Sequence, residues 1–364
     1  MSITGIAFAV LLMFTEIGFL NGLYDSQVEL VNHLSADLII TNRLKYSLIR
    51  IEPFARRRLY QATTIPGVKA AYPLYLLDWP LWRSPNSRKL YPIRVLAFKP
   101  ADPIFVNPDI MAHAAALQLP DTVLIDTQSK SYFGDRYAGV VTELAGKAIH
   151  VVGTFRLGTD FVNGGTLIMS DRNFLKHIVT ERERDTGLGK VELGVVHVAP
   201  GMDPAIVAAA LRQALPDDVT VYTRQEYLAH EMRYWRQSTP IGPIFGLGAA
   251  MGFVIGVIIC YQILYTDVVD QLPQFATLKA IGYHNRFLVG VVFQQALGLA
   301  CLGFIPGLVL SYVFYKLLAH GTGLLMRLTV PRATLVFLLT VAMCTFAGSL
   351  AVRKVLSADP AEVF

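Results

Sequence analysis

The chain has only 3 cysteines in 364 residues, Cys260, Cys301 and Cys344, and no two of them lie at a C-x-x-C spacing. That excludes a disulfide framework and a cysteine-built metal site. It leaves the compartment open, because a domain of this size buries enough core to do without cross-links. Charge is scarce as well: 16% of the residues are Asp, Glu, Lys or Arg, against about 25% in an average soluble domain. The deficit is local, since only 12 of these residues lie outside residues 24–238. The net charge of +5 is modest, and the single basic run, Arg56-Arg57-Arg58, has no interleaved aromatics of the kind that track nucleic acid. It reads as a solvated helix face. The 8 His residues form no H-x-x-x-H or H-E-x-x-H pair, and there is no G-x-S-x-G elbow. Gly146-Lys147 is not a phosphate loop, because Val141 stands where the first Gly belongs and Ala148 replaces the Mg²⁺-holding hydroxyl. No catalytic residue, metal or cofactor is expected, and a membrane-anchored enzyme has no nucleophile or acid pair to work with.

What is present instead is long apolar runs. Residues 237–266 carry no charge, and Leu288 to Tyr315 and Ala333 to Val352 are likewise uncharged and rich in Leu, Val, Phe and Ala. Each is long enough, at about 1.5 Å per residue, to cross about 30 Å of hydrocarbon. A fourth run, Ile3 to Leu23, contains one acid, Glu16; it lacks a basic leader and an A-x-A-like cleavage site and reads as a retained anchor. The fold class is therefore a membrane protein with four transmembrane helices in a 1 + 3 layout and a large α+β domain, on the side opposite the termini, between the first two. The expected boundaries are residues 1–24 for the first helix, 25–238 for the domain with its closing stalk helix, and 239–364 for the rest. Within the last part, spans are expected at about 240–266, 288–318 and 333–352.

Four spans put both termini on one side. Lys279, Arg286, Arg353 and Lys354 then face Lys316, Arg327 and Arg332 across the membrane, which is too even a count for the positive-inside rule to choose. No Lys or Arg precedes the first span, so a longer, basic native N-terminus is expected.

In the soluble part, short β-branched runs at residues 36–41, 91–98, 122–125, 149–153, 165–169, 193–198 and 219–222 read as strands. Asp203 is an N-cap, and Pro204 opens a helix to Leu215, making a strand–helix–strand unit. Residues 153–165 (GTFRLGTDFVNGG) read as a hairpin with a flexible turn. Residues 224–237 read as a helix that continues the second span outward.

The connector 267–286 (DVVDQLPQFATLKAIGYHNR) carries a second pattern. Pro273 suits N1 of a short helix over about 273–282 and Gly282 its C′ position, with Phe275, Leu278 and Ile281 on one side. Two turns are not stable alone, so the helix needs a groove in another subunit or, alternatively, the headgroup region. In the second span Gly248, Gly252 and Gly256 line one face at the spacing that allows close helix approach, a dimer or intramolecular interface. Glu16 is expected to hydrogen-bond a neighbouring helix through Gln294 or Gln295, with a proton-linked or cargo-sensing role as the alternative.

QFATLKAIGY before a long span, the 1 + 3 layout, and the closing Ala358-Asp359-Pro360-Ala361-Glu362-Val363 resemble MacB/FtsX-type (type VII) ABC transporter permeases. The opening ITGIAFAVLLMF…GFLNGLYDS with ADLIITN is similar to their DevC branch. The resemblance implies a homodimeric permease of the bacterial inner membrane whose large domain is periplasmic. It further implies a separate cytoplasmic ATPase, a membrane-fusion adaptor and, through that, an outer-membrane channel. Such proteins transmit ATP-driven motion to the outer domain, in efflux of lipid, glycolipid-like or other periplasmic cargo. The alternative is an FtsX-like regulator of a periplasmic enzyme. On this reading Phe275 and Leu278 fill the ATPase groove, Lys279 is a rim charge, and Gly282 stops the helix.

Overall fold

The computed structural model describes residues 2–160, 162–179, 187–322 and 326–356. Two compact units emerge, one from the described parts of residues 1–22, 240–321 and 326–364, the other chiefly from residues 23–239.

Helix α1 (Ser2–Asn32) opens the chain. It runs past the expected end near residue 24, because Leu23, Tyr24, Val28, Leu30 and Val31 keep a helical spacing and are buried. The outer domain then proceeds through β1 (Leu38–Asn42), β2 (Phe54–Ala55), α2 (Arg57–Thr63), β3 (Val68–Leu77), β4 (Leu81–Arg83), β5 (Leu90–Pro92) and β6 (Arg94–Phe98). Next come α3 (Pro108–Ala112), α4 (Ala114–Leu117), β7 (Thr122–Asp126), β8 (Val141–Leu144), β9 (Lys147–Phe155), β10 (Thr166–Ser170) and α5 (Asp171–His177). The domain closes with β11 (Lys190–Val191), β12 (Leu193–Val198), α6 (Pro204–Ala214), β13 (Val219–Thr223) and α7 (Arg224–Ser238).

Among the described residues, eleven strands share one mixed sheet in the order β13-β1-β12-β3-β6-β10-β7-β9-β8-β4-β5. The ten-residue β3 splices its two halves: Val68 to Leu74 pair with β12, and Tyr75 to Leu77 pair with β6. Sequence reading missed this strand, whose Pro73 and Ala70-Ala71 break the β-branched pattern. Side chains alternate cleanly between two cores. Leu38, Ile40, Val95, Ala97, Val123 and Ile125 fall on one face. Ile39, Leu96, Phe98 and Leu124 fall on the other. Because both faces are covered, the central strands β6, β7 and β10 read as continuous apolar runs.

Two expectations are corrected here. β9 and β10 are not a hairpin: β7 lies between them. The segment joining them is held by Asp160, which meets Arg94 at 2.6 Å while Arg94 also meets Asp78 at 2.8 Å; Phe161 within it lies outside the described residues. The Arg56–Arg58 run is not simply solvated, since Arg58 is buried and clamps both carboxylate oxygens of Asp218. Gly146 belongs to a hairpin, where Ala145 (φ 51°) and Gly146 (φ 78°) make the two-residue turn between β8 and β9.

The membrane unit adds α8 (Ile241–Asp270), α9 (Leu272–Ala280), α10 (Asn285–Thr322) and α11 (Val330–Leu356). With α1, the helices α8, α10 and α11 are long and apolar enough to cross a membrane. α7 does not continue into α8. Thr239 is extended (φ −124°, ψ 146°), as a residue before proline prefers, and its hydroxyl donates to the Trp235 carbonyl. The 358–363 motif lies outside the described residues, as do the side chains of Arg353 and Lys354.

Candidate coupling site

The connector folds as α9, with Pro273 in the first turn, one position later than expected. It ends in a Schellman motif: the Gly282 N–H donates to the Lys279 carbonyl and the Tyr283 N–H to the Leu278 carbonyl, both at 3.0 Å. Gly282 takes φ +105°, open to glycine without strain. The face it buries corrects the sequence reading. Phe275 is 3% exposed and packs with Val268, Leu288, Val292 and Val352 of its own chain, with Leu278 partly buried beside it. Burying such a side chain stabilises by about 1.5–3 kcal/mol, so the ends of α8, α10 and α11 supply the dock that two turns of helix require. Phe275 therefore holds α9 in place and is not free to fill a partner's groove. What α9 presents outward is Pro273, Gln274, Thr277, Ala280 and Gly282, followed by Ile281, which is 70% exposed, and the exposed Tyr283 and Phe287 with ring centroids 4.8 Å apart. Lys279 is half-buried.

The glycine strip of α8 packs within the chain. A Cβ at Gly248 would lie 2.5 Å from Glu16 Oε2; Gly252 lies beside Leu12 and Met13; Gly256 sits against Ala9 and Met343. α1 and α11 thus cover all three positions. Glu16 is not brought to the two glutamines. Its carboxyl lies over Gly248, Gln294 is exposed, and the buried Gln295 Oε1 finds no donor among the described residues. A second small-residue pair went unnoticed: Gly303 and Gly307 of α10 receive Ile6 and Val10 of α1. Their i, i+4 spacing is the same signal that marked α8. Below them the Tyr315 hydroxyl donates to the Phe14 carbonyl, where Gly18 leaves room for the ring.

In the outer domain, sequence reading missed a buried acid. Tyr227, Glu231 and Trp235 recur at i, i+4, i+8 on α7, so Glu231 lies in the helix's inward stripe. It is 0% exposed and accepts from Ser47 Oγ (2.6 Å), the Leu48 N–H (2.9 Å) and Trp235 Nε1 (3.0 Å). Burial pushes its carboxyl above the ordinary glutamate range despite these donors. Burial likewise raises Glu192, whose Oε2 meets the buried Lys45 ammonium at 2.6 Å. Among the described residues no cluster of three or more His, Cys, Asp or Glu could hold a metal ion.

This is a multi-spanning membrane protein with a sheet-rich outer domain and a short docked connector helix. Residues 246–360 match the FtsX-like permease C-terminal family, so the chain carries an FtsX-like permease domain. An uncharacterized ABC transporter permease of Mycobacterium bovis is 23% identical over 369 residues, covering 99% of this chain and 93% of the relative. One from Mycobacterium tuberculosis is 21% identical over 366 residues, with coverage of 99% and 93%. Among solved structures, the periplasmic region of MacB from Actinobacillus actinomycetemcomitans aligns with a TM-score of 0.36 at 9% identity, covering 52% of this chain and 88% of that one. The extracellular domain of the noncanonic ABC-type transporter YknZ from Gram-positive bacteria gives 0.33 at 9%, covering 52% and 99%.

Proposed function

We propose that the chain is the permease subunit of an ABC exporter of the MacB type, within the DevC branch that its opening residues resemble. It works as a homodimer in the bacterial inner membrane with residues 25–238 in the periplasm. A separate ATPase docks on the cytoplasmic connector, and a membrane-fusion adaptor leading to an outer-membrane channel docks on the outer domain. ATP-driven closure of the ATPases moves the helices, and the outer domain drives periplasmic cargo outward.

The observation that carries this reading is α9. Its inner face is fixed by Phe275 and its stop by Gly282, while Ile281 stands out uncovered at the capped end of the helix. An exposed apolar anchor on a positioned helix is the usual chemistry of a binding hot spot. A motor can drive the permease only through contacts that differ between its nucleotide states, and α9, docked on α8, α10 and α11 through Phe275, is placed to pass such a difference on to those helices. Co-purification of the ATPase with I281D tests it. Loss of at least about 2 kcal/mol of affinity, some thirty-fold, is expected for a hot-spot anchor; full retention would refute the assignment.

A further inference from the structure

Residues 43–52 leave the end of β1, cross the inward face of α7 and return to β2. They meet that helix at three levels, Tyr234, Glu231 and the core around Tyr227. Tyr46 packs on Tyr234 with ring centroids 5.3 Å apart, while Arg50 stacks over Tyr46 at 5.0 Å. Ser47 and Leu48 both donate to the Glu231 carboxylate, and Leu48 enters the same core as Tyr227. The other side of the loop is tied to the sheet. Lys45 reaches Glu192, next to β12, and donates to the Arg50 carbonyl. Asn42 closes the loop's base by donating to the Pro53 carbonyl at 2.9 Å and accepting from the Leu44 N–H at 2.9 Å.

An apolar side chain at position 231 would hold the helix to the loop without the desolvation that a buried carboxylate suffers. It would also tolerate sliding by a fraction of a turn. Three directional hydrogen bonds to one carboxylate, two from the loop and one from Trp235, admit a single register. That is the property required of a joint that passes displacement of a helix to a neighbouring element, and not of a core residue that merely fills space.

We infer that residues 43–52 are a second coupling element between α7 and the sheet, beside the direct junction of α7 with β13, with Glu231 as the positioning residue that fixes their register; this rests on the function proposed above. Displacement of α7 is carried through Glu231 to Ser47 and Leu48, and through Lys45 and Glu192 into β12. Hydrogen–deuterium exchange on the full chain in lipid nanodiscs, alone and with its ATPase and ATP, tests this with the variants E231Q and S47A. The Leu48 amide is expected to exchange about ten-fold faster in E231Q and by a smaller factor in S47A, while the amides of β1 and β13 keep their wild-type rates. ATP-induced changes in 43–52 are expected to vanish in E231Q while those in α9 persist. Equal acceleration through β1 and β13 would overturn the inference, because Glu231 would then be holding the whole domain together. An unchanged Leu48 rate, or ATP-induced changes in 43–52 that survive E231Q, would overturn it as well. Absence of any ATP effect on α9 in the wild-type chain would instead sink the exporter reading, and the Leu48 comparison would still decide the joint.

Discussion

Apolar side chains do opposite things in the two units. In the outer domain they alternate into the sheet's two faces and vanish from water, so Ile39, Leu96 and Phe98 are all buried. In the membrane unit large apolar side chains point outward: Leu247, Val309 and Leu338 are more than half exposed. Its interior seats large side chains such as Ile6, Val10, Phe14 and Met343 against small residues, among them Gly256, Gly303, Gly307 and Ala300, that let the helices close on one another. Water selects the first core by hydrophobicity. Lipid is as apolar as Leu, so the second core is selected by shape.

Deleting volume should therefore hurt one unit and adding volume the other. Phe98→Ala in the sheet is expected to cost about 3–5 kcal/mol, read as loss of the outer domain's unfolding transition. Gly256→Leu should cost about 1–3 kcal/mol by driving a side chain into Ala9 and Met343, read as a lowered melting temperature in detergent. Leu247→Ala, on the outward face of the same helix, should leave that temperature unmoved; an equal loss at both positions would break the contrast. Gly282→Ala forces a Cβ into a left-handed conformation and should loosen the end of α9 by about 1–2 kcal/mol, seen as faster exchange of the Tyr283 amide.

The smallest effect concerns pH. The folded-state pKa of Glu231 is raised above its unfolded value, so the fold binds this proton more tightly than the unfolded chain does. Its contribution to stability is complete below the ordinary value of 4.5 and is lost as pH rises through the raised value. Thermal unfolding of E231Q should accordingly show a flatter decline than wild type as pH rises from 4.5; a steeper decline would reverse the assigned sign.

Much of the architecture was legible because it rests on local signals. Uninterrupted apolar runs mark α8, α10 and α11, β-branched runs mark β1, β6, β7, β10 and β12, and Asp203-Pro204 marks the start of α6. Gly282 as the stop of α9 was legible for the same reason, since only a residue free at positive φ ends a helix that way. Phe275 was misread because its stripe says that one face is apolar, not which body covers it. Nothing local distinguishes a partner's groove from Val268, Leu288, Val292 and Val352, which are up to about eighty positions apart in the chain.

The amino-acid order by itself determined where the chain meets lipid, where it meets water and where short helices must start and stop, because transfer free energy and backbone sterics act residue by residue. Tertiary structure alone decided that β3 joins two half-sheets, that Glu16 rests on Gly248 rather than on a glutamine, and that Glu231 collects donors from a loop about 180 residues away. Those outcomes depend on which surfaces close together at fixed volume, and close packing is a property of the whole fold.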